Sequence, residues 1–262
     1  MPSRTSSTGR AEPDGGAGAV RNGALARKLR ETLGLRLPPV ALAFVTETPD
    51  GVEAFADEVP SACTFWRRAE TSVFFASAAA HAHCPIGALT MGFSMSPEEQ
   101  EQLMSLVGSM AERGYVAAEE AANIPSVPGE KHGIVYGPLE HLPLEPDAVL
   151  LWVSGRSAML LGEATRASEW THEASGTGSF GRPSCAAIPV AVRDSAPAFS
   201  VGCAGMRTFT EIGDDLQLAV LPRASLDGLD ERLEATVRVN EEMLGYYAGQ
   251  KARYETMSAG GS

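Results

Sequence analysis

The sequence predicts an α/β fold, or its α+β variant: a single domain in which a mixed β-sheet is flanked by helices and a long helix closes the chain. Three observations carry this. Apolar runs of strand length (VALAFV, AVLLWV, LQLAVL) recur along the 262 residues, and continuous runs of that kind suit strands covered on both faces. Segments with apolar residues at helical spacing lie between them, Ser96–Arg113 and Ser225–Tyr247 being the clearest. The two kinds alternate irregularly, which favours a mixed sheet over a doubly wound repeat.

Residues 1–22 are rich in Ser, Gly, Ala, Pro and Arg and read as a disordered tail. Ala24–Leu33 places Leu25, Leu29 and Leu33 on one helical face, and Gly34 stops it. Val40–Val45 is a buried strand. Thr46–Pro60 is polar and acidic and reads as a loop or a short helix, residues 64–70 mix helix and strand signals, and 71–76 read as a strand. The run HAHCPIG opens a short helix with Pro85 in its first turn. Ser96 and Glu99 form a capping box with Pro97 at the first helical position. Ala117–Gly129 is small and helix-forming until Pro125. His132–Tyr136 and Ala148–Val153 read as strands, and Ser157–Trp170 as a helix with Ser157 as its cap. Thr171–Pro183 is a Gly/Ser-rich loop. Cys185–Val192, Ala198–Val201 and Leu216–Leu221 read as strands, with Pro189 pushing the first towards an edge. The single domain is therefore expected over 23–250, with a frayed tail over 251–262.

Composition narrows the function. Hydrophobic residues make up 44% and charged residues 21%, which suits one large core. The net charge of −12 and the absence of a basic stripe argue against nucleic-acid binding. No secretory segment is expected, and no window reaches the roughly 18 apolar residues of a membrane helix. A cytoplasmic, reducing location is expected, and there the four cysteines favour buried thiols, metal ligands or catalytic groups over disulfides.

Cys63 and Cys84 are separated by twenty residues, Cys185 and Cys203 by seventeen, and the two pairs by a hundred. No C-x-x-C occurs, and by spacing alone the four are ordinary core thiols. Their contexts say more, because each lies where a loop meets an apolar element. Cys63 follows Pro60-Ser61, Cys84 precedes Pro85, Cys185 follows Pro183-Ser184, and Cys203 lies between Gly202 and Gly205. Four thiolates suit an iron–sulfur cluster or zinc. His83 and His81 are alternative ligands or supports, since histidine replaces cysteine in some such sites.

The chain resembles a prokaryotic family known only as domain of unknown function 169, over about residues 25–230. The blocks that carry the resemblance are LPPVA from Leu37, Cys63 with the run to Ala69, CPIGA from Cys84, and GPL from Gly137. They continue with EPDAV from Glu145, Cys185-Ala186, CAGMR from Cys203, and Leu221-Pro222. The resemblance implies that all four cysteines belong to one site. It implies no reaction. Where the family commonly carries polar or charged residues, this chain has Ala204 and Met206, so a more apolar site is expected near Cys203.

Other residues complete the expectation. Arg207 and Asp147 are catalytic candidates, Arg207 by tuning thiolates or holding an anion, Asp147 as a general base or as a turn-former at a strand entry. Arg156, at a strand–turn–helix, and Arg67 are candidate anion or substrate contacts. Gly176–Gly181 has bare G-x-G-x-x-G spacing but follows a helical pattern, so it reads as a loop. The expected function is a metalloprotein with an iron–sulfur (4Fe–4S) cluster acting as a redox or Lewis-acid enzyme on a small molecule. It would have an electron-donor protein as partner, and a homo-oligomer is open to it. The alternatives are a zinc-bound or metal-free small-molecule-binding domain, and an enzyme using Cys84 as nucleophile.

Overall fold

The computed structural model of the protein describes residues 15–117, 123–165 and 183–259. Its centre is a six-stranded sheet in the order β2-β3-β1-β4-β6-β5. The strands are β1 Val40–Val45, β2 Phe74–Ser77, β3 Gly133–Pro138, β4 Ala148–Val153, β5 Ala198–Ser200 and β6 Gln217–Pro222. Every pairing between these strands is antiparallel, so the expected mixed sheet is corrected in detail. A parallel contact is confined to an isolated bridge between Ala54 and Phe75. The antiparallel order follows from the connections, which set β3 and β4 on either side of β1 and opposite to it in direction.

The apolar runs are strands covered on both faces, as their composition predicts. Side chains alternate across the sheet. Val40, Leu42, Ile134, Tyr136, Leu150, Trp152, Leu218 and Val220 belong to one core. Ala41, Ala43, Val135, Val149, Leu151, Ala219 and Leu221 belong to the other. The second face is covered by α1 (Gly15–Leu33), α5 (Gly155–Ala164) and α8 (Leu229–Ala259), through Leu25, Leu29, Leu160, Leu161, Leu229 and Leu233. The first face carries α2 (Cys63–Arg68), α3 (Pro85–Met91), α6 (Ala187–Asp194) and α7 (Ala204–Thr210), with α4 (Pro97–Glu112) packed on α3. The domain is thus three layers deep, and both cores run the length of the sheet.

Several boundaries differ from the sequence reading. α1 begins at Gly15, inside the stretch expected to be a tail, and α8 continues to Ala259, through the stretch expected to fray. The residues around Cys63 are helical, and β2 starts at Phe74. Cys185–Val192 is not a strand: a 3-10 turn over Ser184–Ala186 leads into α6. Pro189 is compatible with that helix because it sits in the first turn, where backbone N–H groups lack intrahelical partners. Ala187, Ile188 and Ala191 then share one buried face. Ser154, not Ser157, caps α5 by accepting from the Ser157 N–H at 3.2 Å, while the Ser157 hydroxyl donates to the Leu33 carbonyl at 2.8 Å. The capping box at Ser96 is present as expected, with both reciprocal hydrogen bonds. The glycine-spaced run Gly176–Gly181, the end of the helix expected to reach Trp170, and residues 118–122 lie outside the described residues.

Asp147 resolves to a structural role at a strand entry. β4 pairs with β1 only over Val40–Leu42. Beyond that, the Asp147 carboxylate accepts the Phe44 N–H at 2.7 Å, and its own N–H donates to the Leu42 carbonyl at 2.9 Å. A side chain thereby continues the ladder where β4 has not begun. Charged acceptors make stronger hydrogen bonds than neutral ones, so Asp147→Ala is expected to lower stability by about 1–2 kcal/mol in urea unfolding. An unchanged midpoint would show that the clamp contributes nothing.

Candidate functional site

The four cysteines come from four separate segments, yet all four line one cavity on the first face of the sheet. Its volume is about 260 Å³. Each cysteine stands at the start of a helical element. Cys63 is the first residue of α2, and Cys84 and Cys203 are the N-caps of α3 and α7. Cys185 lies in the 3-10 turn that opens α6. The Cys203 sulfur accepts the Met206 N–H at 3.4 Å, completing the first turn of α7 as a serine would. Cys63 and Cys185 are buried; Cys84 and Cys203 are half-buried at the rim.

Two glycines allow this convergence. A β-carbon on Gly87 would lie 2.9 Å from the Ala62 β-carbon and 3.0 Å from the Cys84 sulfur, so α3 reaches the start of α2 only with hydrogen there. Gly202 has φ +97°, a left-handed conformation that places Cys203 after a sharp turn. The turn is held by Arg207, which donates to the carbonyls of Val201 at 2.5 Å, Gly213 at 3.2 Å and Leu216 at 3.2 Å.

The electrostatics follow from burial. Burial pushes the Cys63 thiol well above its ordinary value, and the neighbouring Cys185, Cys84 and Cys203 sulfurs push it further. Burial likewise pushes Cys185 up to about 12. Helix N-termini favour anions by about 0.3–1 kcal/mol, whereas full burial can shift a group by about 3–5 pH units. Burial wins, and these two thiols are neutral in the metal-free protein. The Ser61 hydroxyl donates to the Cys84 sulfur at 3.7 Å, so Ser61, rather than His83, is the hydroxyl or ring partner seen at that sulfur.

Among the described residues, no three His, Cys, Asp or Glu side chains are set closely enough to hold a single metal ion. Zinc bonds of about 2.3 Å to sulfur would bring tetrahedral thiolates to within roughly 4 Å of one another. The four cysteines share the cavity without forming such a group.

The other expected residues fall in different places. His83 is exposed and lines the cavity. His81 does not line it. Its Nδ1–H donates to the Ser77 carbonyl at 2.7 Å and its Nε2 accepts from the Tyr136 hydroxyl at 3.0 Å, within a cluster that includes Phe65 and Phe93. With both ring nitrogens engaged, His81 has none to offer a metal. Arg207 holds the Cys203 turn and is not part of the lining, and Asp147 clamps the sheet. Arg67 pairs with the mostly buried Glu70 carboxylate, and Arg156 is exposed at the start of α5, a helix of the opposite layer. The sequence reading missed the cavity wall. Leu106, Val107 and Met110, on one face of α4, line the cavity together with Tyr115, Ile124 and Phe209. It also passed over Ser61 and Ser184, although a Pro-Ser pair ahead of Cys63 and of Cys185 marks both.

Fold and site together define a class: a three-layer protein with an antiparallel central sheet and a four-cysteine cavity under one helical layer. The chain belongs to the DUF169 family, described as uncharacterised ArCR, whose sequence model matches residues 28–231. It is 28% identical over 223 residues to the "Uncharacterized protein MJ0308" of Methanocaldococcus jannaschii, a match covering 80% of this chain and 92% of that protein. No solved structure matches the chain. Among the described residues, no helix is long and apolar enough to cross a membrane.

Two outcomes test this geometry. Gly87→Ala is expected to cost about 1–3 kcal/mol by overpacking and to increase alkylation of Cys63 in the folded protein, as α2 and α3 separate. Unaltered stability and labelling would show that the approach at Gly87 is not tight. Burial lowers the His81 pKa from 6.5 to about 4. The unfolded state therefore binds the extra proton more readily, and the stability present above pH 6.5 is lost as pH falls through 4, by about 3 kcal/mol in all. Urea titrations between pH 7 and 4 should show this slope, and His81→Gln should flatten it; an equal slope in the variant would assign it to other groups.

Proposed function

We propose that this protein is a metalloprotein that binds an iron–sulfur cluster, most simply 4Fe–4S, through Cys63, Cys84, Cys185 and Cys203, and acts on a small molecule at that site. The observation that carries the reading is the arrival of all four cysteines, from four separate helix starts, at one cavity. Four thiolates lining one cavity suit an iron–sulfur cluster. When bound, such a cluster supplies one-electron storage or Lewis-acidic iron. The chain's residues do the rest. The buried Cys63 and Cys185 form the floor, Cys84 and Cys203 form the rim, and the helix starts favour the negative charge that thiolate ligation brings. The α4 wall gives the site a largely apolar lining, and His83 at the cavity edge would pass a proton. A redox role would add an electron-donor protein at the rim and a reducing, cytoplasmic setting, in keeping with four free thiols.

A second reading, a metal-free small-molecule-binding domain, is favoured by the neutral state of the buried thiols and by the largely apolar wall. Anaerobic reconstitution with ferric iron, sulfide and excess dithiothreitol, which reduces part of the iron, separates the two. The cluster reading predicts a brown protein with a broad visible band, lost in the Cys63→Ser, Cys84→Ser, Cys185→Ser and Cys203→Ser variants alike. A colourless protein, or a band indifferent to two or more of these substitutions, would reject it in favour of the second reading. Because thiols must deprotonate to ligate, loading is also expected to release protons in unbuffered solution, and a loading without proton release would contradict thiolate ligation by the neutral floor cysteines.

A further inference from the structure

The cysteines occupy only part of the cavity. Its far wall is built by Leu106, Val107 and Met110 of α4 with Phe209 of α7, and among the described lining residues there is no Asp, Glu, Lys or Arg. A buried charge without a partner is strongly disfavoured, so this wall selects against charged molecules. Leu106 and Phe209 are 37% and 39% exposed, which puts large apolar side chains at the mouth. The space of about 260 Å³ exceeds the roughly 150 Å³ of an apolar cavity that takes up benzene.

A second, independent observation points to a ligand. Ser184 lines the cavity beside Cys185, is fully buried, and its hydroxyl has no hydrogen-bond partner among the described residues. Buried hydroxyls are nearly always paired, because an unpaired one forfeits its hydration with nothing in return. The other cavity serine, Ser61, is engaged with the Cys84 sulfur. Ser184 therefore stands as an unused polar contact at the base of an apolar chamber.

We propose that the cavity binds an uncharged, mainly apolar small organic molecule beside the cysteines, seated against the α4 wall with a single polar atom on the Ser184 hydroxyl. This names the substrate class of the site proposed above. It rests on that reading for the chemistry performed, but not for the binding, which needs no metal. The ligand enters between Leu106 and Phe209, loses its hydration against α4, and presents its polar end towards Cys185. Among the described lining residues, a carboxylate would meet no Lys or Arg and an amine no Asp or Glu.

The full-length, metal-free protein tests this by isothermal titration with cyclohexanol, methylcyclohexane and hexanoate. Saturable binding of cyclohexanol is expected, with hexanoate at least about tenfold weaker. Ser184→Ala should weaken cyclohexanol by about five- to tenfold, the worth of one hydrogen bond, and leave methylcyclohexane unchanged. Met110→Trp, checked for folding by circular dichroism, should abolish binding of both neutral probes, and Leu106→Trp at the more exposed mouth serves if that variant unfolds. Hexanoate binding as tight as cyclohexanol, no saturable neutral binding, or equal losses for both neutral probes in Ser184→Ala would overturn the proposal. Neutral-probe binding in a protein that refuses iron would sink the cluster reading and leave this one standing; iron loading without neutral-probe binding would do the reverse.

Discussion

Cys63 and Cys84 share a cavity because α3 meets the start of α2 at a residue without a β-carbon. At Gly87 the missing atom would overlap the Ala62 β-carbon, which belongs to a side chain with no freedom to move aside. The contact brings two helix starts to one point. α3 also packs against the turn that carries Cys185 and against α6, and α2 packs against α7, which begins at Cys203. The four starts are thus one packing unit laid on the first face of the sheet. The sheet tolerates this because its opposite face is filled independently by α1, α5 and α8.

The site's electrostatics set two effects against each other. Helix N-termini attract negative charge, while burial of the floor cysteines resists it, and burial is the larger. The metal-free site therefore keeps the buried Cys63 and Cys185 thiols neutral. A cation bound there would reverse the balance, since coordination deprotonates thiols outright. The same residues in this way serve as an apolar wall in one state and as ligands in the other. Arg207 holds the Val201, Gly213 and Leu216 carbonyls and pairs with Asp214, so its charge is engaged outside the cavity lining.

Much of this was legible in the sequence. The continuous apolar runs announced strands covered on both sides, and the capping box at Ser96 announced α4. The loop-to-element junctions of the cysteines were legible too, but not that every junction is a helix start. Cys185–Val192 misled because AAIPVAV is too short for periodicity to separate a buried strand from a buried helix, and Pro189 argues against either except in a first turn. Leu106, Val107 and Met110 did not announce a cavity, because an apolar helical face has the same pattern whether it meets a core or a cavity. His81 and His83, two residues apart, were indistinguishable by sequence: one closes a hydrogen-bonded core network with Tyr136, the other stands exposed at the cavity. Asp147 sat in a block shared with the family and invited a chemical role, while its geometry is that of a strand clamp.

The claim on which the account turns is that four distant cysteines hold one polynuclear group. Native mass spectrometry of the anaerobically isolated, unreconstituted protein measures this directly. The account predicts a single species heavier than the chain by four irons and four sulfides, and loss of that whole increment, not part of it, when Cys185 alone is replaced by alanine. A protein carrying one zinc ion, or one whose mass is that of the bare chain under every anaerobic preparation, would contradict it.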